Sequence, residues 1–294
     1  MNFIPHPLDG TPIGHAFDLA IILSLACWSL SIITRDYSWV DRIWSVCPAI
    51  YCLIVAAASD FSSTRLNIMT LLVLAWGVRL TCNLARKGGY QVGSEDYRWK
   101  VMQERLGPVK FQLLNATFIA PGQMLVVWLF TSPVHQAWLG QDQSLNFIDF
   151  LAIFPFVFLL IMEAIGDNQM WTFQQHKKRS IEAGEPVKQP YITHGLFKFC
   201  RHPSFFCEMG MWYVFYLFGV ASTGQWIHWS GLGLVSLTLV FLGSTRLTES
   251  ISLARYPSYR NYQASTPRLI PFTRIGCIRL GNATSLADGS ADVS

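Results

Sequence analysis

Residues 147–166 read FIDFLAIFPFVFLLIMEAIG, twenty consecutive positions of which only Asp149 and Glu163 are charged. A helix needs about 20 mostly apolar residues to cross the roughly 30 Å hydrocarbon core of a bilayer. The stretch therefore predicts a membrane span. Working outward from it, six more stretches reach a comparable length: 16–33, 43–59, 66–84, 111–131, 205–222 and 226–243. Pro48, Pro121 and Pro155 fall inside three of the seven, where neighbouring helices can satisfy the carbonyls a proline frees. The predicted fold class is all-α, a multipass membrane protein of about seven transmembrane helices.

Composition agrees. The chain has 294 residues, 51% hydrophobic and 14% charged, against about 25% charged in soluble domains. With a mean hydropathy of +0.31, this argues against a soluble globular enzyme and against a disordered chain. A net charge of +4 gives no support to a nucleic-acid surface. The seven cysteines (27, 47, 52, 82, 200, 207 and 277) show no CxxC or other metal spacing and read as free thiols. No His/Asp/Glu cluster with metal-ligand spacing is present, so no metal is expected.

Between the spans, the non-membrane segments carry 0, 2, 1, 6, 0, 6, 0 and 6 Lys+Arg in chain order. Basic residues accumulate on the cytosolic side, so the N-terminus is expected outside and the C-terminus in the cytosol. The N-terminal segment lacks a basic n-region, and the first span is read as retained. Residues 1–275 form one transmembrane domain, with 147–275 its expected cofactor-binding half; the Gly-, Ala- and Ser-rich 276–294 read as a disordered cytosolic tail. Of two N-x-[ST] sequons, Asn115 falls in a span and Asn282 in the tail, so neither is expected to be glycosylated.

Polar groups at membrane depth mark function or pairing. The spans hold Asp18, Arg79, Asp149, Glu163 and Glu208. Asp18 and Asp149 lie within a turn of a span's end and are expected to be solvated at the interface. Arg79 is close enough to its end to snorkel. Glu163 and Glu208 remain to be explained. Around them lie three polar clusters. In the first, Arg201-His202-Pro203-Ser204 precede Glu208. Pro203 suits the first turn of a helix, so the sixth span is expected to start there, with an anion site at its mouth. Either that site or a headgroup anchor with an interhelical Glu accounts for the residues. The second cluster runs Glu163 to Gln169 and on to Lys177-Lys178-Arg179, the last three read mainly as attraction to anionic lipid. The third follows the last span, with Glu249 and the Tyr- and Arg-rich 255–262. His135 and His228 are isolated in sequence and read as structural.

Taken in order, Asp41-x-x-Trp44-Ser45, Trp76-Gly77-x-Arg79-Leu80, Glu95-Asp96-Tyr97-Arg98, Gly166-Asp167-x-Gln169, Gly195-Leu196, Arg201-His202-Pro203, Glu208, Glu249, Tyr259-x-x-Tyr262 and Ile270-Pro271-Phe272 resemble the steroid 5-alpha-reductase C-terminal family, especially its multipass branch. The resemblance implies an NADPH-dependent reductase of the endoplasmic reticulum membrane. Its substrate would be a carbon–carbon double bond conjugated to a carbonyl in a steroid, sterol or other lipid reaching it from the bilayer. Carried over, it makes Asp167, Gln169, Arg201, His202, Ser204, Glu208 and Tyr259 cofactor contacts. Tyr97, Glu95 and Asp41 stand as candidates for the proton donor.

The chain departs from the family where Arg-His-Pro continues Ser204-Phe205-Phe206 instead of Asn-Tyr-Phe, and where Met170 replaces a Lys. These changes motivate a reading as a non-catalytic membrane protein that kept the fold. Arg-His-Pro-Ser also occurs in isoprenylcysteine carboxyl methyltransferases, which use S-adenosylmethionine. Those imply paired carboxylates after the last span, whereas here Ser250 follows Glu249.

Overall fold

The computed structural model describes residues 10–91, 93–187 and 189–273. Among them every regular element is helical, and seven helices are long and apolar enough to cross a membrane. They divide into two compact units. The first takes the described residues up to Ala164 together with Cys207–Ser244; the second takes Ile165–Phe206 and those from Thr245 onward. The expected tail and the Asn282 sequon lie outside the described residues.

In the first unit, α1 (Pro12–Thr34) begins where Thr11 Oγ1 accepts the Gly14 N–H at 3.1 Å, and ends at Arg35 in the left-handed region, φ 54°. The second span is two helices, α2 (Trp39–Trp44) and α3 (Cys47–Ala57), and the third is α4 (Thr64–Arg86). The fourth is a broken assembly of α5 (Tyr97–Leu114), a π turn over Asn115–Ile119, α6 (Pro121–Thr131) and α7 (Pro133–Leu139). Inside α5, Gly107 at φ 73° interrupts the helix before Pro108. The long α8 (Phe147–Glu182), α9 (Pro203–Thr223) and α10 (Leu232–Arg255) each contribute one part to each unit.

Helices α1, α3, α4 and α6 pack on one another. Lipid is as apolar as leucine, so such packing relies on close fit and small residues. At Gly77 a Cβ would stand 2.5 Å from the Ser45 carbonyl oxygen, which shows how near α4 lies to the end of α2. An aromatic core fills the same region: Trp212 lies 4.2 Å from Phe130 and 5.1 Å from Trp76 between ring centroids.

Several expectations change. Asp149 is not solvated. It is fully buried and takes both Arg65 Nε at 2.8 Å and Nη2 at 2.9 Å, while Arg65 also donates to the Gln143 and Ser144 carbonyls. Arg65 is the single basic residue on the sparsely charged face, and this pair neutralises it. Arg79 does not reach outward; its Nη2 lies 3.0 Å from Glu163 Oε1, with the Glu163 side chain 2% exposed. The two charges account for each other. Of the three prolines, Pro48 and Pro121 stand in first turns of helices, where a missing N–H costs nothing, and Pro155 alone lies within a continuous helix. His135 and His228 are not isolated, since both rings lie against Trp229, at 6.0 and 5.4 Å. Asn115 is fully buried and donates to Ser31 Oγ, out of reach of any glycosylation. The six described cysteines form no disulfide.

In the second unit α8 continues to Glu182. Its 36 residues make a rod of about 54 Å, so the loss of hydrophobicity at Gly166 ends a span without ending a helix. The rest of the unit is a 3₁₀ turn over Gly195–Lys198, the first turn of α9, the end of α10, α11 (Tyr259–Ser265) and the segment to Thr273.

Candidate functional site

The second unit is organised around one carboxylate. Glu249, 2% exposed, accepts from Arg201 Nε at 2.7 Å and Nη2 at 3.1 Å, from Gln263 Nε2 at 3.0 Å and from Arg268 Nε at 3.3 Å. His202 Nε2 lies 3.0 Å from it. The remaining Arg201 nitrogen donates to the carbonyls of Gln263 and Thr266. The backbone repeats the connection: Arg201 N–H donates to Pro267 O and His202 N–H to Arg268 O. Arg201 therefore pins the chain that follows α11 to the entrance of α9. That entrance is where the sequence places it, with Pro203 opening the helix.

The polar end of α8 lies beside it. Ser204 Oγ donates to Asp167 Oδ1 at 3.2 Å, and Asp167 is buried. Gln169 Oε1 accepts the Leu196 N–H at 2.8 Å. The turn that delivers this N–H needs Gly195, at φ 62°, where a Cβ would meet Gln169 Oε1 at 2.3 Å. So Asp167, Gln169, Arg201, His202 and Ser204 share one unit, tied in three hydrogen-bonded groups: Ser204 with Asp167, Leu196 with Gln169, and Arg201 and His202 with Glu249. Met170 accepts from Gln174 along its own helix at 3.7 Å, and Phe205 packs against His202.

Tyr259 joins them through an aromatic cluster. Its ring meets Tyr191 edge-on at 5.0 Å and Tyr262 at 5.6 Å, while Tyr191 stacks on Tyr262 at 5.8 Å. Tyr262 OH donates to Phe197 O, and Tyr191 OH to Ser258 O. The Tyr259 hydroxyl makes no hydrogen bond among the described residues, though the residue is 6% exposed. Burial, with the Glu249 charge adding to it, pushes its pKa up to about 12, so the phenol is a donor at any physiological pH. Burial likewise pushes the Cys200 thiol up to about 11, which keeps it inert. Lys177, expected to face lipid, instead donates to Pro190 O at 2.6 Å and to Tyr256 OH at 3.0 Å, and lies over the Tyr256 ring.

The other expected residues lie in the first unit. Glu208 is buried on α9. Asp41 Oδ2 accepts from Trp99 Nε1 at 3.0 Å, and Glu95 Oε1 accepts the Tyr37 N–H at 2.9 Å. Burial raises the Glu95 pKa. Tyr97 opens α5 and is exposed. Sequence reasoning passed over Arg268, Gln263 and Tyr191, because each matters only through a partner far along the chain. The one signal for Arg268 was its nearness to Ile270-Pro271-Phe272.

Does this unit suit a dinucleotide phosphate? Arg201 is consumed by internal bonds, so a phosphate would need another cation. Arg268 uses only Nε, and its side chain is 35% exposed; Lys198, in the same unit, is exposed. The Tyr259 hydroxyl and Gln169 Nε2 are donors that the described chain leaves unused. A cation, two uncommitted donors and a helix entrance are what an anionic, polar cofactor needs.

The fold and these clusters define a multipass helical membrane protein with a polar, ion-paired unit built from the ends of its last helices. The chain belongs to the DUF1295 family, described as "Protein of unknown function", a steroid 5-alpha-reductase-like group whose sequence model matches residues 27–266. It is 32% identical over 285 residues to an uncharacterized protein of Schizosaccharomyces pombe, covering 92% of this chain and 83% of that one. No solved structure matches.

Proposed function

We propose that this chain is a membrane-embedded, NADPH-dependent reductase of a carbon–carbon double bond conjugated to a carbonyl, acting on a steroid, sterol or other lipid of the endoplasmic reticulum membrane. The observation that carries the reading is convergence. Gly166-Asp167-x-Gln169, Gly195-Leu196, Arg201-His202-Pro203-Ser204, Glu249 and Tyr259-x-x-Tyr262 are scattered over about a hundred residues, yet hydrogen bonds and ring contacts gather them in one compact unit.

In this reading Asp167, Gln169, Ser204 and Tyr259 hydrogen-bond the cofactor. Arg201 and His202 hold the frame through Glu249, and Arg268 meets a phosphate. Glu208 carries over from the resemblance as a further contact. NADPH, when bound, supplies the hydride. A proton must also be delivered, with a donor polarising the carbonyl oxygen. Tyr97, Glu95 and Asp41 are the candidates, and the raised pKa of Glu95 is in the direction a donor requires.

The test is cofactor binding by the purified full chain in detergent, offering NADPH and S-adenosylmethionine side by side. NADPH binding weakened at least tenfold by Tyr259→Phe and by Arg268→Ala supports the reductase. Preferential binding of S-adenosylmethionine selects methyl transfer instead. Binding of neither selects a non-catalytic role.

A further inference from the structure

Ile270-Pro271-Phe272 takes no part in the candidate site, and two of its three side chains are left open. Ile270 is 61% exposed and Phe272 63%. Phe272 also holds φ 63°, left-handed backbone that a bulky side chain rarely adopts. Strain of this kind persists only where the surroundings fix it, and it clusters where a segment is put to use. Here it accompanies a ring contact between two exposed phenylalanines. Phe199, 41% exposed, lies 5.0 Å from Phe272 between centroids, although 73 positions separate them.

The level of this patch follows from the chain. Phe199 stands four residues before Pro203, where a membrane span begins. The Arg201 and His202 amides donate to Pro267 O and Arg268 O, so the closing segment is tied to the mouth of the same span. The patch is therefore continuous with a helix surface that faces lipid. Its charge agrees: neither GLFKFCRHPS (195–204) nor TPRLIPFT (266–273) contains an acidic residue, and Lys198, next to Phe199, is exposed. Exposed apolar side chains beside a cation match the boundary between acyl chains and lipid phosphates.

We propose that Phe199, Ile270 and Phe272 form an interfacial anchor, their side chains seated in the outermost part of the acyl chains of the leaflet at which α9 begins, with Lys198 at the level of the lipid phosphates. The anchor fixes the segment that carries Arg268 against the membrane surface. It needs no cofactor and goes beyond the reductase reading.

The experiment places a photoreactive residue in the full chain, as Phe272→p-benzoylphenylalanine, and illuminates membranes isolated from the expressing cells. Tryptic peptides are then read by mass. Leu239, 64% exposed within a span, and Ser258, exposed beyond the spans, take the same residue as lipid and water references. The Phe272 site should yield lipid adducts within about twofold of the Leu239 site and about tenfold above the Ser258 site, as a side chain at the acyl boundary requires. A yield no higher than at Ser258 overturns the proposal. So does a predominant adduct to another protein or to another peptide of this chain. A wild-type measurement needs no variant to fold. In nanodiscs of phosphatidylcholine and phosphatidylserine, hydroxyl radicals should oxidise Phe272 as little as Phe154, which is mid-span and 69% exposed. Oxidation as fast as in a synthetic peptide of residues 266–273 in water overturns the anchor. Either failure leaves NADPH binding untouched, and loss of NADPH binding leaves both of these readouts standing.

Discussion

Arg201 and Glu249 face each other across two hydrogen bonds, at 2.7 and 3.1 Å, although 48 residues separate them. Both are buried, and the same arginine holds the Gln263 and Thr266 carbonyls. Removing one partner of such a pair strands the other charge, at a cost of about 3–5 kcal/mol. Glu249→Gln should therefore destabilise the second unit by that amount. Hydrogen exchange is the direct check: the Arg201 and His202 amides, bonded to Pro267 O and Arg268 O, should lose protection before the spans do. Unchanged protection would refute the role.

Arg65 and Asp149 make the matching prediction in the first unit. Asp149→Asn should lower thermal stability in detergent by about 3–5 kcal/mol, whereas Arg65→Met with Asp149→Leu should recover most of the loss, since apolar pairs of similar size replace buried ion pairs well. A double variant no better than the single one would show that the pair does more than balance charge.

Glycine substitutions should separate close approach from open surface. A Cβ at Gly77 would meet Ser45 O at 2.5 Å, and one at Gly233 would meet Leu129 O at 2.2 Å, while at Gly243 nothing lies within 4 Å. Gly77→Ala and Gly233→Ala should each cost about 1–3 kcal/mol, the usual range for overpacking. Gly243→Ala should be neutral or stabilise by up to about 1 kcal/mol through helix propensity. Thermal unfolding of the three variants ranks them.

The Tyr259 phenol is held at about 12. An ultraviolet difference titration of wild type against Tyr259→Phe should show no tyrosinate from this residue until the pH approaches that value. If the proposed reductase reading holds, any weakening of NADPH binding by Tyr259→Phe should be constant between neutral and moderately alkaline pH. A transition near the ordinary value of about 10 would mean that the ring is solvated.

Orientation is open to a simple assay. A tag at the C-terminus, on the face that carries 20 of the 22 basic residues, should be removed by protease added to the cytosolic side of intact microsomes. Protection would reverse the topology.

The spans were legible because a run of about 20 apolar residues has few other uses, and Pro203 announced the start of α9 by the same logic that puts proline in first turns. Other features were hidden for definite reasons. Asp149 near a span's end reads as interfacial, and nothing in its neighbourhood names Arg65. Hydropathy marks where lipid ends, so it could not show that α8 continues through Asp167 and Lys177, which are polar yet helical. At the candidate site the residue types were visible: Arg201, Glu249 and Tyr259 all stood out. Their division of labour was not, because a motif does not say that Arg201 spends its donors on Glu249 and two carbonyls and leaves the exposed cation to Arg268.

The bond between Arg65 and Asp149 also sets an order of assembly. The aspartate is synthesised 84 residues after the arginine, which at about 5–20 residues per second is a delay of roughly 4–17 s. During that interval the third span carries an arginine at its rim that only water or headgroups can serve. The fifth span, on arrival, takes it into the interior. Maturation of the first unit is therefore a timed event, and a nascent chain halted before residue 149 should hold its early helices together loosely, with the closing step still to come.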